Sequence, residues 1–321
     1  MIKRLEYIVL SFFLTRALFL GGCFSLLVNV SGNSMIISGI LGMLFGYFFL
    51  YLLYKRCGYV SNIVKLMIVF IILLVNTLSS TMLTSNYLLV STPTIMILGL
   101  MYLTLLYGNS KGIEVIGRLA FICFLVSFIL YILGYIGVLP NIKICNMLPI
   151  IDSKVTDVIK GIIVFISASI LPNILLIEYK NNLKFRDVSI GYIIGSISII
   201  IIMFFILTIY GSELASIARF PEYLILKKVN ILSYITNLEN VLVMEWIVNI
   251  IICLLFSIKV LNNMFNKYVV YGMLLIILFI CEMFLFKNYV YVLFIKNYVY
   301  YGMFTLIILS LIFRNKKDST L

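Results

Sequence analysis

The chain contains no histidine, and only 11% of its residues are charged. Without histidine it lacks the commonest general base and metal ligand among the side chains. The six cysteines, at positions 23, 57, 123, 145, 253 and 281, show no CxxC or other chelating spacing. Most of them fall in apolar stretches, where a reduced thiol behaves as a small hydrophobic group. We therefore predict a protein that is not an enzyme and that has no metal site and no cofactor.

The scarcity of charge also excludes a water-soluble globule. Apolar residues make up 64% of the 321 residues, against about 45–50% in soluble domains. At roughly 20 residues per helical crossing, this content is enough for about ten spans and leaves little for a soluble domain. Apolar runs such as residues 190–210 are helix-length, whereas the strands of an outer-membrane barrel alternate apolar and polar residues. The sequence predicts an all-α polytopic membrane protein with a single domain over residues 1–321.

Hydropathy along the chain predicts ten helices that cross the lipid bilayer. The ten spans cover residues 5–30, 35–54, 63–84, 94–107, 115–139, 161–177, 188–210, 241–258, 268–286 and 291–313. Lys and Arg concentrate in short loops on the side of both chain ends, and the positive-inside rule places that side in the cytoplasm. The net charge of +12 therefore reflects topology, and we do not expect nucleic acid as a partner.

Two segments on the opposite side are long enough to have structure of their own, residues 140–160 and 212–240. The second carries apolar residues at helical spacing. This pattern is typical of an amphipathic helix that lies in the membrane interface. A lid or a surface for a partner protein is the alternative interpretation of the same residues.

Two spans contain residues that favour a break in the helix. In a bilayer, a broken helix survives only where protein or a water-filled cavity satisfies its freed backbone groups. The residues concerned lie midway along the first and sixth spans: Gly21, Gly22 and Cys23, and Ser167, Ala168 and Ser169, followed by Pro172. If the chain consists of repeats over about 5–139 and about 161–313, the two breaks are equivalent, as in inverted-repeat transporters that bind substrate there. Close helix packing through small residues is the alternative.

A polar stripe on the third span adds to this candidate site. Asn76, Ser80 and Thr84 recur every four residues, so they share one face, either for interhelical hydrogen bonds or as a wall of a polar cavity. The complete set of predicted substrate-binding residues is Gly21, Gly22, Cys23, Asn76, Ser80, Ser167, Ala168 and Ser169.

Charged residues within the spans are few. Arg16 would cost about 2.5–3.5 kcal/mol at the centre of a bilayer, so it should face the bundle interior. Alternatively, residues 1–16 lie along the cytoplasmic surface and the first span begins at Ala17. Glu245 and Glu282 are close enough to span ends for their side chains to reach an interface. We therefore expect no deeply placed carboxylate that could relay protons.

Residues 92–120, TPTIMILGLMYLTLLYGNSKGIEVIGRLA, resemble the fourth span and following loop of the spore germination permeases, the B-type membrane subunits of nutrient germinant receptors. Residues 219–246, RFPEYLILKKVNILSYITNLENVLVMEW, are similar to a second segment of that family. The residues that match the family motifs, for which we predict structural roles, are Thr92, Pro93, Gly112, Glu114, Arg118, Phe220, Pro221, Tyr223, Glu239 and Trp246. Glu114 and Arg118 are four residues apart, so they form either an ion pair within one helix or a brace between helices.

The resemblance implies a fold and a function. The fold is that of the amino acid, polyamine and organocation transporter superfamily, a leucine-transporter-like five-plus-five inverted repeat with discontinuous first and sixth helices. The function is that of a germinant receptor subunit in the spore inner membrane or the bacterial cell membrane, which binds a small nutrient such as an amino acid and acts with A-type and C-type subunits. A stand-alone secondary transporter of amino acids or polyamines is the alternative.

The chain departs from the family pattern in its first span. The Gln-rich opening of that span and the Pro after its Gly are missing, and Arg16 and Cys23 lie nearby instead. Because these changes fall in the helix that would face the ligand, the resemblance does not identify the nutrient.

Overall fold

The protein is almost entirely helical in a computed structural model that describes residues 4–55, 59–151, 153–228, 238–286 and 298–315. The α-helices are α1 (Arg4–Ala17), α2 (Cys23–Ser31), α3 (Met35–Lys55), α4 (Asn62–Leu83), α5 (Thr94–Ser110), α6 (Ile113–Val138), α7 (Val155–Ile174), α8 (Phe185–Ile217), α9 (Pro221–Leu226), α10 (Leu238–Asn262), α11 (Lys267–Phe286) and α12 (Tyr300–Ile312). Short 3₁₀ segments cover Phe19–Gly21, Gly32–Ser34, Leu139–Asn141, Ile144–Met147 and Leu175–Asn182, and a π-helical turn covers Thr84–Leu88.

Seven helical stretches in the described part of the chain are long and apolar enough to cross a membrane. They are Cys23–Lys55, Asn62–Leu88, Ile113–Asn141, Val155–Tyr179, Phe185–Ile217, Asn240–Asn262 and Lys267–Phe284. Two further apolar helices, Thr94–Ser110 and Tyr300–Ile312, are shorter. An integral membrane protein is therefore confirmed, whereas the count of ten spans, the inverted repeat and the cytoplasmic location of the termini stay predictions. Residues 291–297 of the predicted tenth span lie outside the described residues.

A short strand pair joins the segment after α3 to the C-terminal end of the chain. Strand β1 (Tyr59–Val60) pairs antiparallel with β2 (Arg314–Asn315), with Tyr59 opposite Asn315. The Ser61 backbone N–H also donates to the Phe313 carbonyl at 3.2 Å. The two segments therefore lie at the same end of the bundle, as the distribution of Lys and Arg requires.

Ion pairs connect helices near that end. Arg4 Nε lies 2.5 Å from Asp187 Oδ1 and links the starts of α1 and α8. Lys65 in α4 pairs with Glu178 in the 3₁₀ segment after α7, and Lys65 is buried.

Helix α1 lies inside the bundle, in contact with α6, α7, α8 and α10. Its closest neighbour is α8, where glycine allows the two backbones to approach each other. A Cβ atom at Gly191 would lie 2.2 Å from the Ile8 carbonyl oxygen and 2.7 Å from Ser11 Cβ. Contact this close requires a residue without a side chain, which is the usual role of small residues between membrane helices.

Buried hydrogen bonds fix α1 against α7 and α8. Ser11 Oγ contacts both Asn173 Oδ1 and the Val188 carbonyl at 2.9 Å. Asn173 Nδ2 donates to Thr15 Oγ1 at 2.9 Å and to the Ser169 carbonyl at 2.8 Å. Because the Asn173 amide uses both of its polar atoms within the bundle, we assign it a structural role.

The predicted break in the first span is present. Helix α1 ends at Ala17, the chain forms a 3₁₀ turn over Phe19–Gly21, and α2 begins at Cys23. Gly22 separates the two helices with φ +97° and ψ 5°, a left-handed conformation that costs glycine little because it has no Cβ atom.

The predicted break in the sixth span is wrong. Helix α7 is continuous from Val155 to Ile174, through residues 167–169. The Ser167 and Ser169 hydroxyl groups donate to the carbonyls four residues earlier, at 2.6 and 2.8 Å, and so satisfy their hydrogen-bonding capacity within the helix. Pro172 lies in the last turn, so the geometry changes only after it, in the 3₁₀ segment Leu175–Asn182.

The described part of residues 212–240 does not form the single amphipathic interfacial helix that the sequence predicts. Helix α8 continues to Ile217 across a kink at Gly211, and α9 starts at Pro221. The α9 side chains are buried, with the exception of a half-buried Leu224. A helix packed on the bundle in this way has no free apolar face for the membrane surface. Residues 229–237 lie outside the described residues.

Candidate functional site

The break in the first span exposes backbone groups inside the bundle. The Leu18 carbonyl, which the break releases, accepts a hydrogen bond from the Tyr300 hydroxyl on α12 at 3.2 Å. Cys23 is fully buried at the start of α2. A Cβ atom placed on Gly22 would meet no other atom within 4 Å. Gly21 belongs to the 3₁₀ turn just before this open space.

The predicted residues of α7 are close to the break but are not open to it. Phe19, from the 3₁₀ turn, packs edge-on against Phe165 with ring centroids 5.0 Å apart. Ser167, Ala168 and Ser169 follow Phe165 on α7 and are completely buried. In this conformation the three residues belong to a packed helix interface, so their role in ligand binding stays a prediction.

The polar stripe of α4 meets α10. Asn76 Nδ2 lies 3.7 Å from Cys253 Sγ, while Asn76 Oδ1 is buried without a hydrogen-bond partner. Asn249, one turn before Cys253 on α10, is buried with neither amide atom bonded. Ser80 donates to the Asn76 carbonyl at 2.7 Å and lies 3.2 Å from Met101 Sδ. The stripe therefore makes contacts between α4 and α10. Its Asn76 also has an unsatisfied amide oxygen, and α4 contacts the 3₁₀ turn Phe19–Gly21 at the helix break.

Arg16 faces the interior, and the alternative of residues 1–16 on the membrane surface is wrong. Its side chain is completely buried, with the guanidinium carbon 4.2 Å from the Tyr131 ring centroid and 5.0 Å from that of Phe12. The Tyr131 hydroxyl donates to Glu245 Oε2 on α10, and Glu245 interacts electrostatically with Arg16. Cation–π contact and a nearby carboxylate together stabilise the buried charge.

The expectation that Glu245 reaches an interface is therefore wrong. Only 6% of Glu245 is exposed, because its face of α10 is turned towards α1 and α6. The sequence does not show this pairing, since the partners come from helices far apart in the chain. The signal that could have revealed it is the intramembrane arginine itself, because charged residues within membrane spans usually pair with one another.

A cavity lies beside this cluster, between α6, α8, α9 and α10. Its volume is about 30 Å³, which is room for water and not for a larger ligand. The lining residues are Tyr131, Gly134, Tyr135, Val138, Ile202, Phe205, Glu222, Ile225, Leu226, Leu242 and Trp246. Aromatic side chains supply much of the wall, and the carboxyl group of Glu222 is its acidic component. Sequence reasoning did not identify Glu222 as a site residue.

The residues of the first family motif lie around the starts of α5 and α6, and their structural role stays a prediction. Pro93, which follows Thr92, caps α5, and its carbonyl accepts the Met96 backbone N–H at 3.0 Å. Gly112 caps α6 in the same way, accepting the Val115 backbone N–H at 3.0 Å. On the exposed face of α6, Arg118 Nη2 lies 3.9 Å from Glu114 Oε2. Of the two arrangements predicted from the sequence, this is the ion pair within one helix.

The second family motif fixes α9 on the bundle. The Tyr223 and Phe220 rings pack on Tyr87 of the π-helical turn, with centroid separations of 4.0 and 5.9 Å. Pro221 is the first residue of α9, a favourable position for a residue without a backbone N–H. Of the remaining motif residues, Trp246 is buried in the cavity wall, and Glu239 belongs to the first turn of α10 with its side chain outside the described part.

Apolar spanning helices with buried polar groups between them define an integral membrane protein. The sequence profile of the spore germination protein family matches residues 34–289. The chain therefore belongs to the spore germination protein family, and the resemblance noted in the sequence is confirmed. A search of curated proteins gives no significant match. The matched region begins after α2, so the broken span and Arg16 lie outside it.

Proposed function

We propose that the protein is the membrane subunit of a spore nutrient germinant receptor. It binds a small nutrient such as an amino acid at the break in the first span. Binding changes the balance between conformers, and the A-type and C-type subunits receive the signal. The family to which the chain belongs supports the role in germination and in the membrane.

The observation that carries the binding site is the conformation at Gly22. The first backbone N–H groups of α2 have no partner within the helix and attract negative charge, as at other helix N-termini. The left-handed conformation of Gly22 changes the direction of the chain between the 3₁₀ turn and α2. The space next to its Cα atom is open. The buried Asn76 and Asn249 hold unbonded amide atoms, and we propose them as partners for the amino group of the nutrient.

Stand-alone secondary transport of amino acids or polyamines is the second candidate. It is favoured by the buried Arg16, Tyr131 and Glu245, which join α1 to α6 and α10. A helix held by one buried electrostatic cluster can exchange between two positions if the cluster rearranges.

We expect amino acids to raise the melting temperature of the purified protein in a screen, and Gly22→Leu to abolish this effect. Leucine at this position fills the open space and disfavours the left-handed backbone. Gly32→Leu is the matched control, because Gly32 also has positive φ and no atom within 4 Å of its Cβ position. Ligand stabilisation that persists in Gly22→Leu would overturn the site.

Uptake into proteoliposomes separates the two candidate functions. For a receptor subunit we expect no saturable uptake of labelled amino acids or polyamines by the isolated protein, although the ligand still shifts its melting temperature. Co-purification with A-type and C-type subunits is then expected from spores. Saturable uptake by the isolated protein would contradict the receptor proposal and establish transport.

A further inference from the structure

Three lysines gather at one end of the bundle, where α5 and α10 end and α11 begins. The Lys259 ammonium, in the last turn of α10, donates to the carbonyl of Lys111, just after α5, at 3.0 Å. Lys267, the first residue of α11, lies close enough to Lys259 for the two like charges to interact. The fold therefore assembles a basic cluster, Lys111, Lys259 and Lys267, from three separate parts of the chain.

This lysine cluster lies at the same end of the bundle as the ion pair of Lys65 and Glu178. Asn263, which follows α10, donates from Nδ2 to the Tyr179 hydroxyl at 3.1 Å, and Tyr179 is next to Glu178 in the chain. Unlike Lys65, the clustered lysines form no ion pair with a carboxylate in the part of the chain that the structure describes. An anion bound between them would compensate their mutual repulsion.

The surface next to the lysine cluster has the features of a membrane–water interface. Tyr107, one turn before Lys111, is 69% exposed, and Tyr268, which follows Lys267, is 87% exposed. Tyrosines of this kind are typical of the headgroup level of a bilayer. The Lys111 ammonium lies 4.9 Å from the Tyr107 ring centroid, so the charge and the ring are at the same depth.

Exposed apolar side chains continue from this interface along α5 and α11, which contact each other. They are Leu100 and Leu103 of α5, and Leu275, Ile276 and Phe279 of α11. A soluble anion would leave this apolar surface uncovered, whereas acyl chains bury it. The combination of unpaired lysines, interfacial tyrosines and apolar helix faces therefore favours a ligand that has both an anionic head and a hydrocarbon tail.

We propose that the lysine cluster binds the headgroup phosphate of an anionic phospholipid, whose acyl chains lie against the exposed apolar faces of α5 and α11. Basic residues where transmembrane helices meet the membrane surface recognise such headgroups. The bound lipid joins the ends of α5 and α10 to the start of α11. These residues are separate from those of the proposed nutrient site, so the inference does not depend on the proposed function.

Binding of radiolabelled phosphatidylglycerol to the purified full-length protein in detergent micelles tests the site. We expect phosphatidylglycerol to bind at least about tenfold more tightly than zwitterionic phosphatidylcholine, and this preference to shrink as the salt concentration rises from about 0.05 to about 0.5 M. The soluble headgroup glycerophosphoglycerol should compete at least about a hundredfold more weakly than the lipid, because it lacks the acyl chains. These comparisons need no variant.

Variants then assign the lysines. Lys111→Gln with Lys267→Gln removes two charges and keeps the hydrogen bond from Lys259 to the backbone carbonyl at position 111. The affinity for phosphatidylglycerol should fall about 25-fold, or about fivefold for each lysine. Lys143→Gln with Lys154→Gln is the matched control, because both lysines are exposed between α6 and α7 and the change in net charge is the same. It should alter the affinity by less than about twofold.

Four results would overturn the proposal. Equal affinity for phosphatidylglycerol and phosphatidylcholine, or equal weakening by the two double variants, would show that the lysine cluster does not select the lipid. Competition by glycerophosphoglycerol as strong as that by the lipid would make the cluster a site for a soluble anion. Wild-type lipid binding by Lys111→Gln with Lys267→Gln, together with loss of co-purification with the A-type and C-type subunits, would assign the cluster to an acidic partner protein.

Discussion

Replacing Glu245 with leucine should lower the free energy of unfolding by about 3–5 kcal/mol. The substitution removes the carboxylate that interacts with the buried Arg16 and accepts the Tyr131 hydroxyl hydrogen bond. The guanidinium is completely buried, with the rings of Tyr131 and Phe12 beside it. An uncompensated charge at this depth has neither water nor a counter-ion. Unfolding of the purified protein in detergent micelles measures the change.

A double-mutant cycle distinguishes this electrostatic effect from lost packing. Arg16→Leu leaves Glu245 uncompensated and should also destabilise, whereas Arg16→Leu with Glu245→Leu should recover most of the stability, since no buried charge remains. Glu213→Leu, at an exposed site, should change the stability by less than about 0.5 kcal/mol. Additive effects of the two single substitutions would show that Arg16 and Glu245 are not coupled.

The sequence predicted one helix break correctly and the other incorrectly, for a reason that lies in the residue types. Gly22 has no Cβ atom, so a left-handed conformation is accessible to it and the break is local. Ser167 and Ser169 only suggested a break. Serine can equally satisfy its hydroxyl by donating to the preceding turn, and both residues do so. Whether the helix breaks or continues at these serines depends on the packing of α7 against its neighbours. The local sequence does not determine that packing.

The cluster at Arg16 was predictable in part. The cost of an intramembrane arginine indicated an interior position, and the structure agrees. Its surroundings were not predictable, because Tyr131 and Glu245 reach it from α6 and α10 through tertiary packing alone. Glu222 was missed for another reason. It lies within a family motif that was interpreted through Pro221 and Tyr223, and its burial follows from the docking of α9 on the bundle.

The glycine contact between α1 and α8 gives the second large expected effect. Leucine at Gly191 would place its Cβ atom 2.2 Å from the Ile8 carbonyl oxygen and 3.0 Å from the Phe12 backbone nitrogen. Overpacking costs typically about 1–3 kcal/mol. We expect the upper end of this range or more, because backbone atoms cannot move aside as a flexible side chain can. Separation of the helices would also break the hydrogen bond from Ser11 to the Val188 carbonyl.

Gly99→Leu is the matched control for this substitution. Gly99 lies within α5, and a Cβ atom there meets no other atom within 4 Å. Both substitutions gain the roughly 1 kcal/mol by which leucine exceeds glycine in helix propensity, so the difference between the two variants isolates the packing term. The measurement is the melting temperature and the monodisperse fraction in detergent. Equal stability of the two variants would contradict the α1–α8 contact, and with it the central position of the broken span on which the proposed nutrient site depends.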